Sequence, residues 1–146
     1  MEKEKYELLL KDLACRLPYG VKVSYYDLDT KSLEWDTLEG IERGFVTING
    51  FQWEISDVKP FLFPMSSMTI KQKNEFKRRS DTVIANSFFK TEVGCVKLFI
   101  GEGDPHEGIF DYIDMSPIDW LNRHHYDYRG LIEEGLAIDC SKLNIY

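Results

Sequence analysis

The amino-acid sequence predicts an α+β domain: a mostly antiparallel sheet of about five to seven strands, with an N-terminal, a middle and a C-terminal helix packed on it. Three observations carry that reading. Apolar residues recur at helical spacing in separate stretches, period-two alternation fills the segments between them, and the order helix, four strands, helix, two strands, helix, strand lacks the regular alternation of a parallel sheet. The chain has 146 residues, 43% of them apolar and 14% aromatic, enough for one domain to bury a core without disulfide or metal staples. No segment reads as a linker, so residues 1–146 are expected to form a single domain.

The elements follow in chain order. Tyr6, Leu9, Leu10, Leu13 and Leu17 share helical spacing, with Lys3, Glu7, Lys11 and Asp12 between them. That predicts an amphipathic helix over residues 3–16, ended by Pro18 and Gly20. Val21, Val23 and Tyr25 alternate with Lys22, Ser24 and Tyr26 as a strand does, and residues 27–31 turn the chain. A second strand is expected over Leu33–Leu38, interrupted at Gly40. Asn49-Gly50 sits between Gly44–Ile48 and Phe51–Ile55 and suits a two-residue type I′ hairpin turn. That turn sets Ile48 opposite Phe51 and Val46 opposite Trp53, which predicts a shared buried face for all four.

Pro60 and Pro64 bracket Phe61-Leu62-Phe63. Missing ladder donors predict an edge strand or extended arm there. Thr69 and Gln72 fit a capping box that starts the middle helix, expected to reach about Arg79 and to extend towards Ile84. Val93–Ile100 and Ile109–Ile113 read as a hairpin around the Gly-rich acidic loop 101–108. Ser116 and Pro117 begin a helix as N-cap and first residue, with Met115 and Trp120 as a hydrophobic staple, and the helix is expected to end near Tyr126. A turn closed by Gly135 and a last strand over Leu136–Ile138 complete the chain.

Charge and cysteine usage limit the function classes. The net charge is −7, yet residues 59–79 hold six basic side chains and one acidic one. Overall acidity disfavours nucleic-acid binding and leaves 59–79 as the only route for it, a weak one. Cys15, Cys95 and Cys140 are odd in number and far apart, so three reduced thiols and a cytoplasmic location are expected. The N-terminus lacks a signal core, and no apolar run is long enough to span a bilayer.

Three blocks carry a resemblance: Leu10-Lys-Asp-Leu-Ala-Cys-Arg-Leu-Pro-Tyr-Gly20, Lys59-Pro-Phe-Leu-Phe-Pro-Met-Ser-Ser-Met-Thr69 and Asp119-Trp-Leu-Asn-Arg-His-His-Tyr-Asp-Tyr-Arg-Gly-Leu-Ile132. Together they resemble a group of small proteins encoded by gut anaerobes, their prophages and their phages. The resemblance implies no catalytic residue, because no activity is assigned to that group. It implies at most a phage-related accessory role.

His124, His125 and Asp127 are the only metal candidates of note. However, adjacent histidines on a helix diverge by 100°, whereas a helical metal pair prefers i, i+4. His125 would share a face with Ile118, Leu121 and Tyr128 and be held by a hydrogen bond. The carboxylates of loop 101–108 lack the length and the distal bidentate Glu of a calcium loop. Ser66 and Ser67 have neither a nucleophile elbow nor a base. Outward side chains in the two basic or aromatic blocks give a candidate interaction surface: Arg123, His124, Asp127 and Arg129 near the last helix, and Lys71, Lys77, Arg78 and Arg79 on the middle one. The expected function is therefore that of a non-enzymatic accessory or interaction protein with an unspecified protein partner, with no catalytic residue, cofactor or metal assigned. The alternative is a small enzyme or ligand-binding protein with its site near the last helix.

Overall fold

The computed structural model describes residues 1–83, 89–92, 95–98 and 117–146, and side chains within 1–77 and 117–146. The fold is α+β. Met1–Phe63 with Arg129–Tyr146 makes one compact unit, and Pro64–Tyr128 makes another.

The first unit begins with α1, Lys3–Arg16, which ends where Leu17–Tyr19 tightens into a 3₁₀ turn and Gly20 takes a left-handed φ of 68°. Five antiparallel strands follow: β1 (Lys22–Asp27), β2 (Ser32–Glu42), β3 (Phe45–Ile48), β4 (Phe51–Glu54) and β5 (Lys59–Pro64). They lie in the order β4-β3-β2-β1-β5, with a 3₁₀ turn at Ile55–Asp57 before β5. A two-residue strand, β9 (Ile138–Asp139), runs parallel to β5 on its other side.

Asn49 and Gly50 both have positive φ, 49° and 76°, as a type I′ turn requires, and the hairpin register is Ile48 to Phe51 and Val46 to Trp53. Burial is less uniform than the pairing predicts. Val46 and Ile48 are buried and Trp53 is half-buried, but Phe51 is 68% exposed. Phe51 follows the turn directly, and the tip of the hairpin is left uncovered. The second strand is longer than expected and runs through Gly40. The register shifts between Leu38 and Gly40, so the glycine marks a bulge, not an end. The bulge bends β2, and the curled sheet brings Trp53 of β4 to 4.7 Å from Tyr25 of β1, ring centre to ring centre, across two intervening strands.

The Pro-bracketed segment is not an edge. β5 pairs with β1 through Val23–Pro60 and Ser24–Lys59, and with β9 through Phe61–Ile138 and Leu62–Asp139. Pro60 is tolerated because the short β9 begins one residue beyond it, where no donor is demanded. Leu9 and Leu13 of α1 pack with Val21, Val23, Tyr25, Leu38, Val46, Ile48, Ile55, Val58 and Leu62. After Arg129, Gly130 at φ 77° turns the chain, and the amides of Leu136 and Ala137 both donate to the Leu131 carbonyl. That turn places Leu131, Leu136 and Ala137 in the same core and delays the last strand to Ile138.

In the second unit, α2 spans Ile70–Val83. Its capping box forms in both directions: the Thr69 amide donates to Gln72 Oε1 at 2.9 Å, and the Gln72 amide donates to Thr69 Oγ1 at 3.2 Å. A hairpin pairs β6 (Phe89–Glu92) with β7 (Cys95–Leu98). Residues 95–98 are thus extended as expected and pair with residues 89–92. The expected strand at 109–113, the acidic loop 101–108 and the cap residues Met115 and Ser116 lie outside the described residues. α3 spans Pro117–Arg123, and β8 is Tyr126–Asp127.

α3 is shorter than predicted. His125 sits in the left-handed region at φ 61°, and its amide donates to the Asn122 carbonyl at 3.2 Å, so the helix cannot continue to Tyr126. The expected helical face of Ile118, Leu121, His125 and Tyr128 is therefore not formed, and the two histidines are not on one helix.

Candidate functional site

Around α3 the structure builds a mostly neutral polar and aromatic network. Trp120 packs its ring at 5.6 Å from Phe76, at 4.3 Å from His124, and stacks on Tyr126 at 5.7 Å. Its indole N–H donates to Glu75 Oε1 at 3.3 Å. Tyr126 donates to Gln72 Oε1 at 2.7 Å, and Tyr128 donates to Asn122 Oδ1 at 2.9 Å. Gln72 therefore serves the helix cap and the tyrosine with the same oxygen. Burial pushes the Tyr126 hydroxyl up to about 12, which keeps it a neutral donor at physiological pH.

The predicted site residues of this block divide. Arg123 is exposed at the end of α3 and His124 is half-buried against Trp120. Asp127, expected to point outward, is buried. Arg129 belongs to the first unit. On α2, Lys71 and Lys77 are exposed; the side chains of Arg78 and Arg79 lie outside the described residues. Among the described residues, no three His, Cys, Asp or Glu side chains converge as metal ligands.

The first unit contains a charged cluster that the sequence reading did not single out. Asp12 and Arg16 of α1 are both fully buried, with Arg16 Nε at 2.7 Å from Asp12 Oδ2. Arg129 Nε approaches Asp12 Oδ1 at 3.3 Å as an ion pair, and Arg129 Nη2 donates to Cys15 Sγ at 3.3 Å. One carboxylate thus meets two guanidiniums and fixes the Arg129 turn to α1. The spacing was the available signal: Leu9, Asp12, Leu13 and Arg16 fall at i, i+3, i+4 and i+7, one face of the helix. Cys15 and Cys140 are free thiols, and burial together with Asp139 pushes Cys140 up to about 11. The side chain of Cys95 lies outside the described residues.

The sheet of the first unit has two unlike faces. On β1, β2 and β5 the side facing α1 carries Val23, Tyr25, Leu38 and Leu62, together with Asp36 opposite Val23, Glu34 opposite Tyr25, and Asp27 at the hairpin end. Tyr25 registers those acids: its hydroxyl is raised first by burial, then by Asp36, Asp27 and Glu34. The opposite side carries Lys22, Ser24 and Tyr26 of β1, Leu33, Trp35 and Thr37 of β2, and Lys59, Phe61 and Phe63 of β5. Tyr26 is 48% exposed, Trp35 44% and Leu33 72%. Trp35 rests edge-on against buried Phe61 at 6.3 Å, and Lys22 Nζ lies 5.8 Å from the Trp35 ring centre. Along these three strands the outer face carries Lys22 and Lys59, and beyond Thr37 the exposed carboxylates Glu39 and Glu42 of β2; Glu39 accepts from the Gly50 amide at 3.3 Å, and Lys22 Nζ donates to Thr37 Oγ1. None of its residues except Lys59 and the strand β5 aromatics fell within a block that the sequence reading had marked.

No family model, no curated protein and no solved structure matches the chain.

Proposed function

We propose that the protein is a non-enzymatic interaction protein acting in a reducing, cytoplasmic compartment, and that its main contact surface is the outer face of the β1-β2-β5 sheet. The observation that carries this reading is the exposure of Tyr26, Leu33 and Trp35 side by side on one rigid sheet face. Contiguous exposed aromatic and aliphatic surface marks binding sites more often than scattered apolar residues do. The aromatic side chains around α3 support a structural role for that region, since Trp120, Tyr126 and Tyr128 are engaged with Glu75, Gln72 and Asn122. In the second unit Arg123, Lys71 and Lys77 are exposed basic side chains that would favour an acidic protein partner.

The test is site-specific photo-crosslinking in expressing cells. A benzoylphenylalanine placed at Leu33 is expected to give discrete adducts that disappear when Trp35→Ala is added. The same probe placed at Phe51, also exposed, is expected to give none of them. Adducts of equal yield from both positions, or no adduct from Leu33, would refute the assignment of the face.

A further inference from the structure

We infer that the side of the sheet opposite this contact face binds a linear organic polycation, whose N–H groups bond in turn to Asp36, Glu34 and Asp27 and to the hydroxyl of Tyr25 among them. The site shares no residue with the outer face and stands independently of it.

The strand register sets the three carboxylates in a row. Asp36 pairs with Val23, Glu34 with Tyr25 and Asp27 with Ser32, so they occupy successive levels on one side of the β1-β2 ladder. Levels two residues apart are about 7 Å from one another, which makes the row roughly 13 Å long. All three acids are half-buried, and each commits one oxygen locally. Asp27 Oδ1 accepts from the Asp29 and Thr30 amides, Glu34 Oε1 from Ser32 Oγ, and Asp36 Oδ1 from the Thr37 amide. Among the described residues none of the three forms an ion pair. A second observation does not depend on the acids. Tyr25 is 9% exposed and its ring leans on Trp53 at 4.7 Å, yet among the described residues its hydroxyl has no hydrogen-bond partner. A hydroxyl on a side chain so far withdrawn from water ordinarily has one. The charged groups that act on it are Asp36, Asp27 and Glu34, all negative, so it opens into the row.

Shape and donor chemistry select the occupant. The acids are strung along the strands, and among the described residues no three His, Cys, Asp or Glu side chains converge on one point, so a single metal ion does not satisfy the row. A chain of cations spaced by several ångströms does. Half-buried carboxylates with an oxygen to spare need N–H donors, and the tyrosine hydroxyl can accept from the same donors. Methylene stems between the charges suit the rings of Tyr25 and half-buried Trp53, on which alkyl chains and ammonium groups both rest favourably. The protein's own cations do not fill the row: Lys22 and Lys59 lie on the other side of the sheet, and exposed Lys31 in the β1-β2 turn pairs with none of the three acids. Two sources carry the required chemistry. One is a free polyamine. The other is an extended basic segment of another protein, whose alternate side chains repeat at the same interval of about 7 Å.

Isothermal titration calorimetry of the full chain tests this at about 0.1 M salt, where diffuse attraction to an acidic protein is largely screened. The probes are spermidine and a blocked five-residue peptide with lysine at alternate positions. At least one is expected to bind at one site, and the tighter of the two identifies the source. Tetramethylammonium, which has no N–H, and magnesium are each expected to bind at least tenfold more weakly. Glu34→Gln should weaken binding roughly 10- to 150-fold, the value of a charge-assisted hydrogen bond, and Asp36→Asn should do the same. Tyr25→Phe, which removes one oxygen and no charge, should weaken it roughly 2- to 10-fold. Glu39→Gln takes the same charge from the opposite side of the sheet and should leave binding unchanged, as should Trp35→Ala. Thermal melts check that each variant is folded, and if Glu34→Gln is not, Asp36→Asn carries the test. The inference is overturned if neither probe binds, if magnesium matches spermidine, or if Glu39→Gln costs as much as Glu34→Gln. Indifference to both Glu34→Gln and Asp36→Asn overturns it too.

Discussion

In the first unit the fully buried polar side chains are charged: they are Asp12 and Arg16, and Arg129 joins them from the far end of the chain. In the second unit Asp127 is buried as well, but the hydrogen-bonded network around α3 is largely neutral: a tyrosine on a glutamine, a tyrosine on an asparagine, and an indole on a half-buried glutamate. Both arrangements join residues distant in sequence, yet they respond differently to loss of one member. A buried carboxylate between two guanidiniums cannot be removed without stranding positive charge in a low-dielectric interior. A neutral network loses about one hydrogen bond at a time, and each member can relax toward solvent or another partner. The difference implies that α1 and the Arg129 turn form one all-or-none element, whereas the α2–α3 network should yield by degrees.

The largest expected effect is therefore at Asp12. Asp12→Asn keeps the shape and removes the charge, and it should cost about 3–5 kcal/mol in denaturant unfolding. A loss below about 1 kcal/mol would show that solvent or other groups already neutralise the two arginines, and the contrast between the units would disappear. Trp120→Ala is next, with an expected cost of about 3–5 kcal/mol. That cost comes from lost burial and cavity formation, not from the bond to Glu75. Trp120→Phe separates the two contributions: it should retain most of the packing on Phe76 and Tyr126 and cost clearly less. Equal losses for the two variants would make the indole N–H the dominant contact and bring the second unit closer in character to the first.

A smaller effect is expected at Tyr126. Tyr126→Phe removes the donor to Gln72 but leaves that oxygen with the Thr69 amide, so the cost should be about 1 kcal/mol. The pH dependence has a definite sign. The folded-state hydroxyl is raised to about 12 from an ordinary 10, so its contribution is complete below pH 10 and is lost as pH rises through about 12. Alkaline unfolding followed by circular dichroism should be less steep in Tyr126→Phe. An unchanged profile would mean that the hydroxyl is not buried in solution.

What could be read from the sequence was local. The bounds of α1, the Asn49-Gly50 turn and the Thr69–Gln72 capping box each depend on residues within a few positions of one another, and each formed as expected. The failures needed information from elsewhere in the chain. β5 is interior because Ile138 and Asp139 return beside it from the C-terminal end. α3 stops early because His125 takes a left-handed conformation that helical periodicity does not reveal. Asp12 reads as a surface residue between leucines until Arg129 arrives to pair with it. The proposed face was half legible: alternation put Lys22, Ser24 and Tyr26 on one side of β1, but their neighbours on β5 depend on a closure of the sheet that no local pattern encodes.

The finest distinction within the first unit concerns Tyr146. The β1–β5 ladder ends at the Val23–Pro60 pair, and the next rung would set Lys22 opposite Phe61. A side chain fills that rung instead: the Lys22 amide donates to Tyr146 Oη at 2.9 Å, and that hydroxyl donates to the Phe61 carbonyl at 2.9 Å. The ring packs on Phe63 at 5.9 Å, at the margin of the proposed contact face. Burial raises the hydroxyl well above its usual value near 10, so it remains a donor where a free tyrosine would already be ionised. The folded state is thus favoured fully below pH 10, and the advantage is lost as pH climbs through the raised value, because a phenolate cannot donate to a carbonyl. Tyr146→Phe leaves an amide and a carbonyl facing each other across the gap. If the strands cannot close, the cost should be about 1–3 kcal/mol, amide exchange at Lys22 should accelerate, and part of the alkaline destabilisation should vanish. If they do close, Lys22 and Phe61 bond directly, exchange at Lys22 stays slow and stability hardly changes. Measuring exchange at that one amide in the variant therefore decides whether the hydroxyl is a necessary member of the ladder or a substitute for a rung the backbone can make unaided.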